Sequence, residues 1–164
     1  MFAHINVTPN PVHRQEYFLV DNMLQIEPTR IERDLLGEKQ IPLHSYYGIH
    51  TLRAIENFKI SGLAVGQQTH FIRALAQVKK ASAQANLHFQ KLSEQTSTAI
   101  QKACDELIQH PEAWQTAFPL DPYQGGAGTS INMNANEVIA NISLEMAGYQ
   151  KGDYHILHLS DHVS

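Results

Sequence analysis

The chain is poor in cysteine, in clustered basic residues and in long apolar runs, and each shortage closes off a class of protein. One cysteine, Cys104, stands among 164 residues. No disulfide can form within the chain, and a reducing compartment, the cytoplasm, is the expectation. No apolar stretch approaches the ~18 residues needed to cross a bilayer. The run Phe18-Leu19-Val20 is followed at once by Asp21, too short for a signal-peptide core. Lys and Arg number 12 against 16 Asp and Glu, a net charge of −4. The basic residues are scattered, so neither nucleic acid nor an anionic membrane is an expected partner. The pair Lys79-Lys80 reads as a solvated helix face. No internal repeat or low-complexity tract is present.

What is present is helical. Residues 1–23, with Pro9, Pro11 and no steady periodicity, read as an N-terminal extension or disordered arm, with Met23 an alternative start. Residues 24–164 read as one domain, long enough to bury a sizeable core. Within it, Pro28, Gly37, Pro42 and Gly48 break residues 26–57 into short pieces. Thr29 to Gly37 suggests short extended segments and turns, and Thr51 to Phe58 a helical turn or two. Three helices are expected. The first runs from His70 to Leu92 behind a Thr69 N-cap, with Phe71, Leu75, Val78, Ala81/Ser82, Ala85 and Phe89 as its apolar stripe. The second runs from Thr96 to Gln109 and ends by Pro111, with Ile100, Cys104 and Leu107 inward, so that Cys104 packs as a small hydrophobe. The third runs from Ser130 to Met146, with Ile131, Val138, Ile142 and Met146 in phase, and stops at Gly148. The fold class is mainly α with a poorly regular N-terminal region.

The entrance to the third helix is the most informative segment. Gly125, Gly126 and Gly128 precede it, and Thr129 or Ser130 is placed to cap it. Glycine permits backbone conformations and close ligand approach that other residues deny, and the helix start offers unpaired N–H groups and a positive dipole end. Together these suit an anion, carboxylate or phosphate; the bland alternative is a flexible loop before an ordinary cap. A P-loop is excluded because no Gly-Lys-Ser/Thr follows, and a dinucleotide fingerprint because no apolar strand precedes. Asn132, Asn134, Asn136 and Asn141 are poor helix formers crowded into this helix. They suggest buried hydrogen bonds to a ligand or to neighbouring chains.

Two segments carry a family resemblance. Gly126-Ala-Gly-Thr-Ser-Ile-Asn-Met-Asn-Ala-Asn-Glu-Val resembles the first signature of the aspartase/fumarase superfamily. Asp34-Leu-Leu-Gly and Tyr46-Tyr-Gly-Ile-His-Thr-Leu-Arg-Ala-Ile-Glu-Asn-Phe resemble aspartate ammonia-lyases rather than fumarases. The resemblance covers roughly residues 27–163 and implies the N-terminal domain of that fold, lacking the central helix bundle. It implies reversible deamination of L-aspartate to fumarate and ammonia, a small dicarboxylate substrate, a homotetramer, and no required cofactor, with Mg2+ as an activator in some members. Thr129 would bind the substrate carboxylate, supported by Ser130 and Asn132, and His158 would mark a second carboxylate site. Leu159-Ser160 depart there from the family's Pro-Asn. The remaining family motifs, the catalytic serine loop among them, are not in these residues, so no catalytic residue is assigned and the chain alone is expected to be inactive. A fumarate hydratase-like lyase, a non-catalytic assembly partner and an unrelated anion-binding module are the alternatives.

Ten histidines raise the question of a metal. His155, His158 and His162 would share a helix face, but Gly152 and the spacing of Ile156, Leu157 and Leu159 disfavour a helix. Solvated or hydrogen-bonded histidines are expected instead. His50 and Arg53 lie in the part of the family linked to a divalent activator.

Overall fold

The computed structural model describes residues 27–164, so the extension expected over residues 1–23 lies outside the described residues. The first elements are two antiparallel strands, β1 (Thr29–Asp34) and β2 (Gly37–Pro42), paired from Thr29↔Pro42 to Asp34↔Gly37. The turn between them is Leu35-Leu36, both exposed, with the Leu36 N–H donating to Asp34 Oδ1 at 2.9 Å. The short extended segments of the sequence reading are therefore one hairpin.

Helix α1 (Ile49–Asn57) follows, then α2 (Thr69–His88), α3 (Glu94–Gln109) and α4 (Thr129–Met146), with 3-10 turns at Val65–Gln67 and Pro111–Ala117. The class is mainly α, as expected. Helix α3 is capped by Ser93, whose hydroxyl accepts from the Thr96 N–H, so it starts two residues before the predicted Thr96. Thr69 is the first residue of α2 rather than its cap, and Gln68 in the cap position makes no side-chain bond.

Of the apolar stripe expected on α2, Leu75 packs against the core, but most of the rest faces outward. Phe71, Val78 and Phe89 are 40%, 64% and 69% exposed, whereas Ile72, Ala76, Lys79 and Ala83 are buried against α3 and its neighbours. Lys79 is thus not on a solvated face: it is 7% exposed, and burial lowers its pKa. Its neighbour Lys80 does reach water and pairs with Asp105 at 2.6 Å. The stripe of α3 is as expected, with Ile100, Cys104 and Leu107 buried. Burial pushes the Cys104 thiol up to about 12, so it packs as a small hydrophobe.

Helix α4 is the centre of the core. Every residue from Asn134 to Leu144 is buried, the signature of a helix surrounded on all sides. Phe118, Leu120, Leu157, Leu159 and Val163 complete the packing around it. Met146, expected in its buried stripe, is 54% exposed beyond that enclosed stretch. Residues 150–164 form turns and contain no helix, so the three histidines there share no helical face.

Candidate functional site

Chemistry at α4 begins with its entrance. Gly126 and Gly128 take φ of 72° and 77°, a left-handed backbone that strains any other residue type. Gly128, not Thr129 or Ser130, is the N-cap, and no side chain caps the helix. The expected capping role of Thr129 and Ser130 is therefore not what the structure has. With the backbone turn made by glycine, both hydroxyls are left for the space in front.

That space is a cleft of about 270 Å³ lined by Asp34, His50, Arg53, Asn57, Thr129 and Ser130, among others. Phe58 from the same wall lies 3.8 Å from where a Cβ on Gly125 would stand. Two cation-capable side chains of α1 thus face the α4 entrance. Arg53 holds Asp34 with two bonds of 2.7 Å, which keeps the Asp34 carboxyl below its usual range. Asn132 and His158 do not line this cleft. Asn132 is half-buried, and its N–H donates to the Gly128 carbonyl. His158 is exposed in the C-terminal segment, its Nδ1 accepting from the Asp161 N–H and its backbone N–H donating to His162 Nδ1.

The other asparagines divide between scaffold and unexplained polarity. Asn141 donates to the Tyr46 carbonyl and the Tyr154 hydroxyl and accepts from Gly152 N–H. Asn134 donates to the Ala117 carbonyl. These are bonds within the chain, not to a ligand. The Oδ1 atoms of Asn134 and Asn136 are buried without a partner among the described residues.

Behind the cleft lies a group that sequence reasoning did not single out. Glu137, two helical turns beyond Thr129, is fully buried. Its carboxylate accepts from the N–H groups of Gly48, His50 and Thr51, from the Thr51 hydroxyl at 2.6 Å, and from His50 Nδ1 at 3.0 Å. Glu32 from β1 accepts from the Ile49 N–H, from Arg30 and from the Tyr154 hydroxyl. Two carboxylates from different elements therefore occupy the N-terminus of α1, where unpaired N–H groups and the helix dipole favour negative charge. Burial raises the Glu32 pKa despite the opposing pull of Arg30. The hydrogen bond to Glu137 raises that of His50. A signal existed in the sequence: one charged residue inside the otherwise uncharged run from Ala135 to Leu144.

Among the described residues no group of three or more His, Cys, Asp or Glu is placed to hold a metal ion. In the cleft the one carboxylate, Asp34, is engaged by the Arg53 guanidinium. His50 and Arg53 as placed do not fit a divalent activator. No described helix is long and apolar enough to cross a membrane.

A glycine turn, a free helix start and two cation-capable side chains opposite define a helical domain with an anion-compatible cleft. The chain belongs to the lyase family, whose model matches residues 37–164. It is 54% identical over 135 residues to the aspartate ammonia-lyase of Corynebacterium glutamicum, covering 82% of this chain and 26% of that protein. Among solved structures it is similar to a fumarate lyase:delta crystallin from Brucella melitensis, with a TM-score of 0.80, 50% identity, and coverage of 83% and 31%. A class II fumarase from Schistosoma mansoni matches with a TM-score of 0.71 and 31% identity, over 83% of this chain and 28% of that one. The chain spans about a quarter of the length of the curated relatives it matches.

Proposed function

We propose that this chain supplies the substrate-carboxylate portion of an aspartate ammonia-lyase, acting on L-aspartate and fumarate. The observation that carries the reading is the placement of Thr129 and Ser130 on a cleft shared with His50 and Arg53. Identity is also higher to the aspartate ammonia-lyase, 54%, than to the class II fumarase, 31%. Removing a proton beside a carboxylate builds negative charge on that carboxylate. Preorganised donors that meet it lower the barrier. The hydroxyls of Thr129 and Ser130, with the first N–H groups of α4, are donors of that kind. Homo-oligomeric assembly and a cytoplasmic setting belong to the same reading.

The 164-residue chain alone is proposed to have no measurable lyase activity, because one set of donors among several leaves most transition-state stabilisation missing. Detection of fumarate from L-aspartate by the pure chain would overturn that part. Dicarboxylate binding tests the site itself. Succinate titrated into the chain should bind in preference to sulfate. Thr129→Ala should weaken it by about 1.5–3 kcal/mol, roughly ten- to a hundred-fold, as expected for one hydrogen bond to a charged group. Equal binding of sulfate and succinate would favour a general anion module, and unchanged affinity in the variant would remove Thr129 from the site.

A further inference from the structure

The cleft has a second layer. Resting on the dicarboxylate reading, we propose that Glu137 is its positioning residue: by accepting the Nδ1 proton of His50 it turns the opposite ring nitrogen toward the cleft as a donor for a carboxylate ligand.

The geometry fixes each part. An imidazole bonded at Nδ1 presents Nε2 on its far edge, and which nitrogen carries the proton follows from the bond the other makes. His50 Nδ1 lies 3.0 Å from Glu137 Oε1, and the same oxygen takes the His50 backbone N–H at 2.8 Å. The ring is thereby pinned at both its base and its inner edge. Glu137 itself cannot drift, since its side chain is fully buried and five donors converge on its two oxygens. The His50 side chain is 41% exposed and lines the cleft with Thr129. Its pinned edge faces the core and its free edge the opening.

The charged groups around the ring agree in sign. Glu137 approaches from α4, and Asp34 and Glu32 from β1, all three favouring the protonated ring, while Arg53 is occupied by Asp34. Burial opposes them, and the hydrogen bond to Glu137 outweighs it, so the His50 pKa is raised. A protonated His50 carries a donor at Nε2; a neutral one bonded to Glu137 at Nδ1 carries only a lone pair there, which repels a carboxylate. Ligand affinity should accordingly hold through the ordinary histidine range near about 6.5 and fall as pH rises through the raised value.

Nitrogen-detected NMR of the imidazoles tests this on the intact chain. His50 should show its neutral-form proton on Nδ1 and titrate above the ordinary histidine value. In Glu137→Gln the midpoint should drop to that value or below, and the fall in succinate affinity should move down in pH with it. In Thr129→Ala affinity should weaken with the pH midpoint unchanged. Glu137 also holds the start of α1, so the variant's folding matters, and the unsubstituted protein is decisive on its own. A neutral His50 protonated on Nε2, or titrating at the ordinary value, overturns the proposal whether or not the variant folds. His50→Gln gives a third reading: its succinate affinity should lose its dependence on pH across the neutral range, and retention of the full dependence overturns the proposal. Failure of succinate to bind at all overturns the dicarboxylate reading instead, and the NMR titration still reports on Glu137.

Discussion

At the scale of single residues, the feature that organises the site is the crowd around Gly48. A Cβ there would stand 2.5 Å from Glu32 Oε2, 2.6 Å from the Tyr154 hydroxyl and 2.9 Å from Glu137 Oε1. Two carboxylates and a phenol converge on that point only because no side chain is present. Gly48→Ala should therefore destabilise the fold by about 1–3 kcal/mol, the usual cost of overpacking, read as a lower midpoint in urea. A midpoint equal to that of the unsubstituted chain would mean that the carboxylates part without cost. The convergence on Gly48 has no sequence signal, although Glu137 alone stands out as the one charge in its stretch of helix. Alternation along β1 would place Ile31 inward, yet Ile31 is 67% exposed while Arg30 and Glu32 point in. The inner face of β1 is charged, and Ile41 of β2 is the one fully buried apolar residue of the hairpin, so no alternating hydrophobic pattern is left to detect.

At the scale of elements, legibility follows from how unusual the residues are. The α4 entrance was readable because three glycines followed by Thr and Ser have few structural uses. The stripe of α2 is ambiguous in the sequence because alanines lie on both its faces. Ala76 and Ala83 are buried, whereas Ala74, Ala81 and Ala85 are exposed, and the larger Phe71, Val78 and Phe89 drew the assignment to the outer side. The hairpin was seen only as extended pieces because Leu35-Leu36 stands where Asn-Gly or Asp-Gly would announce a turn.

The loop before α2 carries an element-scale prediction. Asp121 Oδ2 accepts from the Ile60, Ser61 and Gly62 N–H groups and the Ser61 hydroxyl, and Oδ1 accepts from the Tyr123 N–H. Desolvation raises this carboxyl, but those donors outweigh it and hold the pKa at about 2, below the usual 3.8. A depressed carboxylate pKa contributes stability that is present above 3.8 and lost as pH falls toward 2. The slope of stability against pH in that acid window should flatten in Asp121→Asn. An unchanged slope would mean that the loop is not held by the charge.

At the scale of the whole molecule, the outer side of α2 leaves apolar side chains open to solvent. Phe71 and Val78 on α2 and Phe89 at its C-cap are exposed on one side, and an uncovered apolar strip of this kind favours association. The 164-residue chain should self-associate as concentration rises, and Val78→Lys with Phe89→Glu should suppress it in sedimentation velocity runs. A monomeric unsubstituted chain at high concentration would contradict this. Lyase-family relatives are about three times as long as this chain, whose 135 matched residues are 26–28% of theirs.

The ties around Gly48 also set an order of events in time. Glu137 is 89 positions beyond Gly48, and Tyr154 is 122 positions beyond Glu32. As the polypeptide leaves the ribosome, the hairpin and α1 emerge well before the groups that hold them. At roughly 5–20 residues per second, several seconds separate the two ends of each tie. In that interval the start of α1 lacks Glu137 and Glu32 lacks the Tyr154 hydroxyl, while the local ties of Glu32 to Arg30 and the Ile49 N–H, and of Arg30 to the Ser45 and Tyr47 carbonyls, are already within reach. The cleft can therefore close only after Thr129 to Glu137 have emerged, although seven of its ten lining residues lie between Asp34 and Phe58.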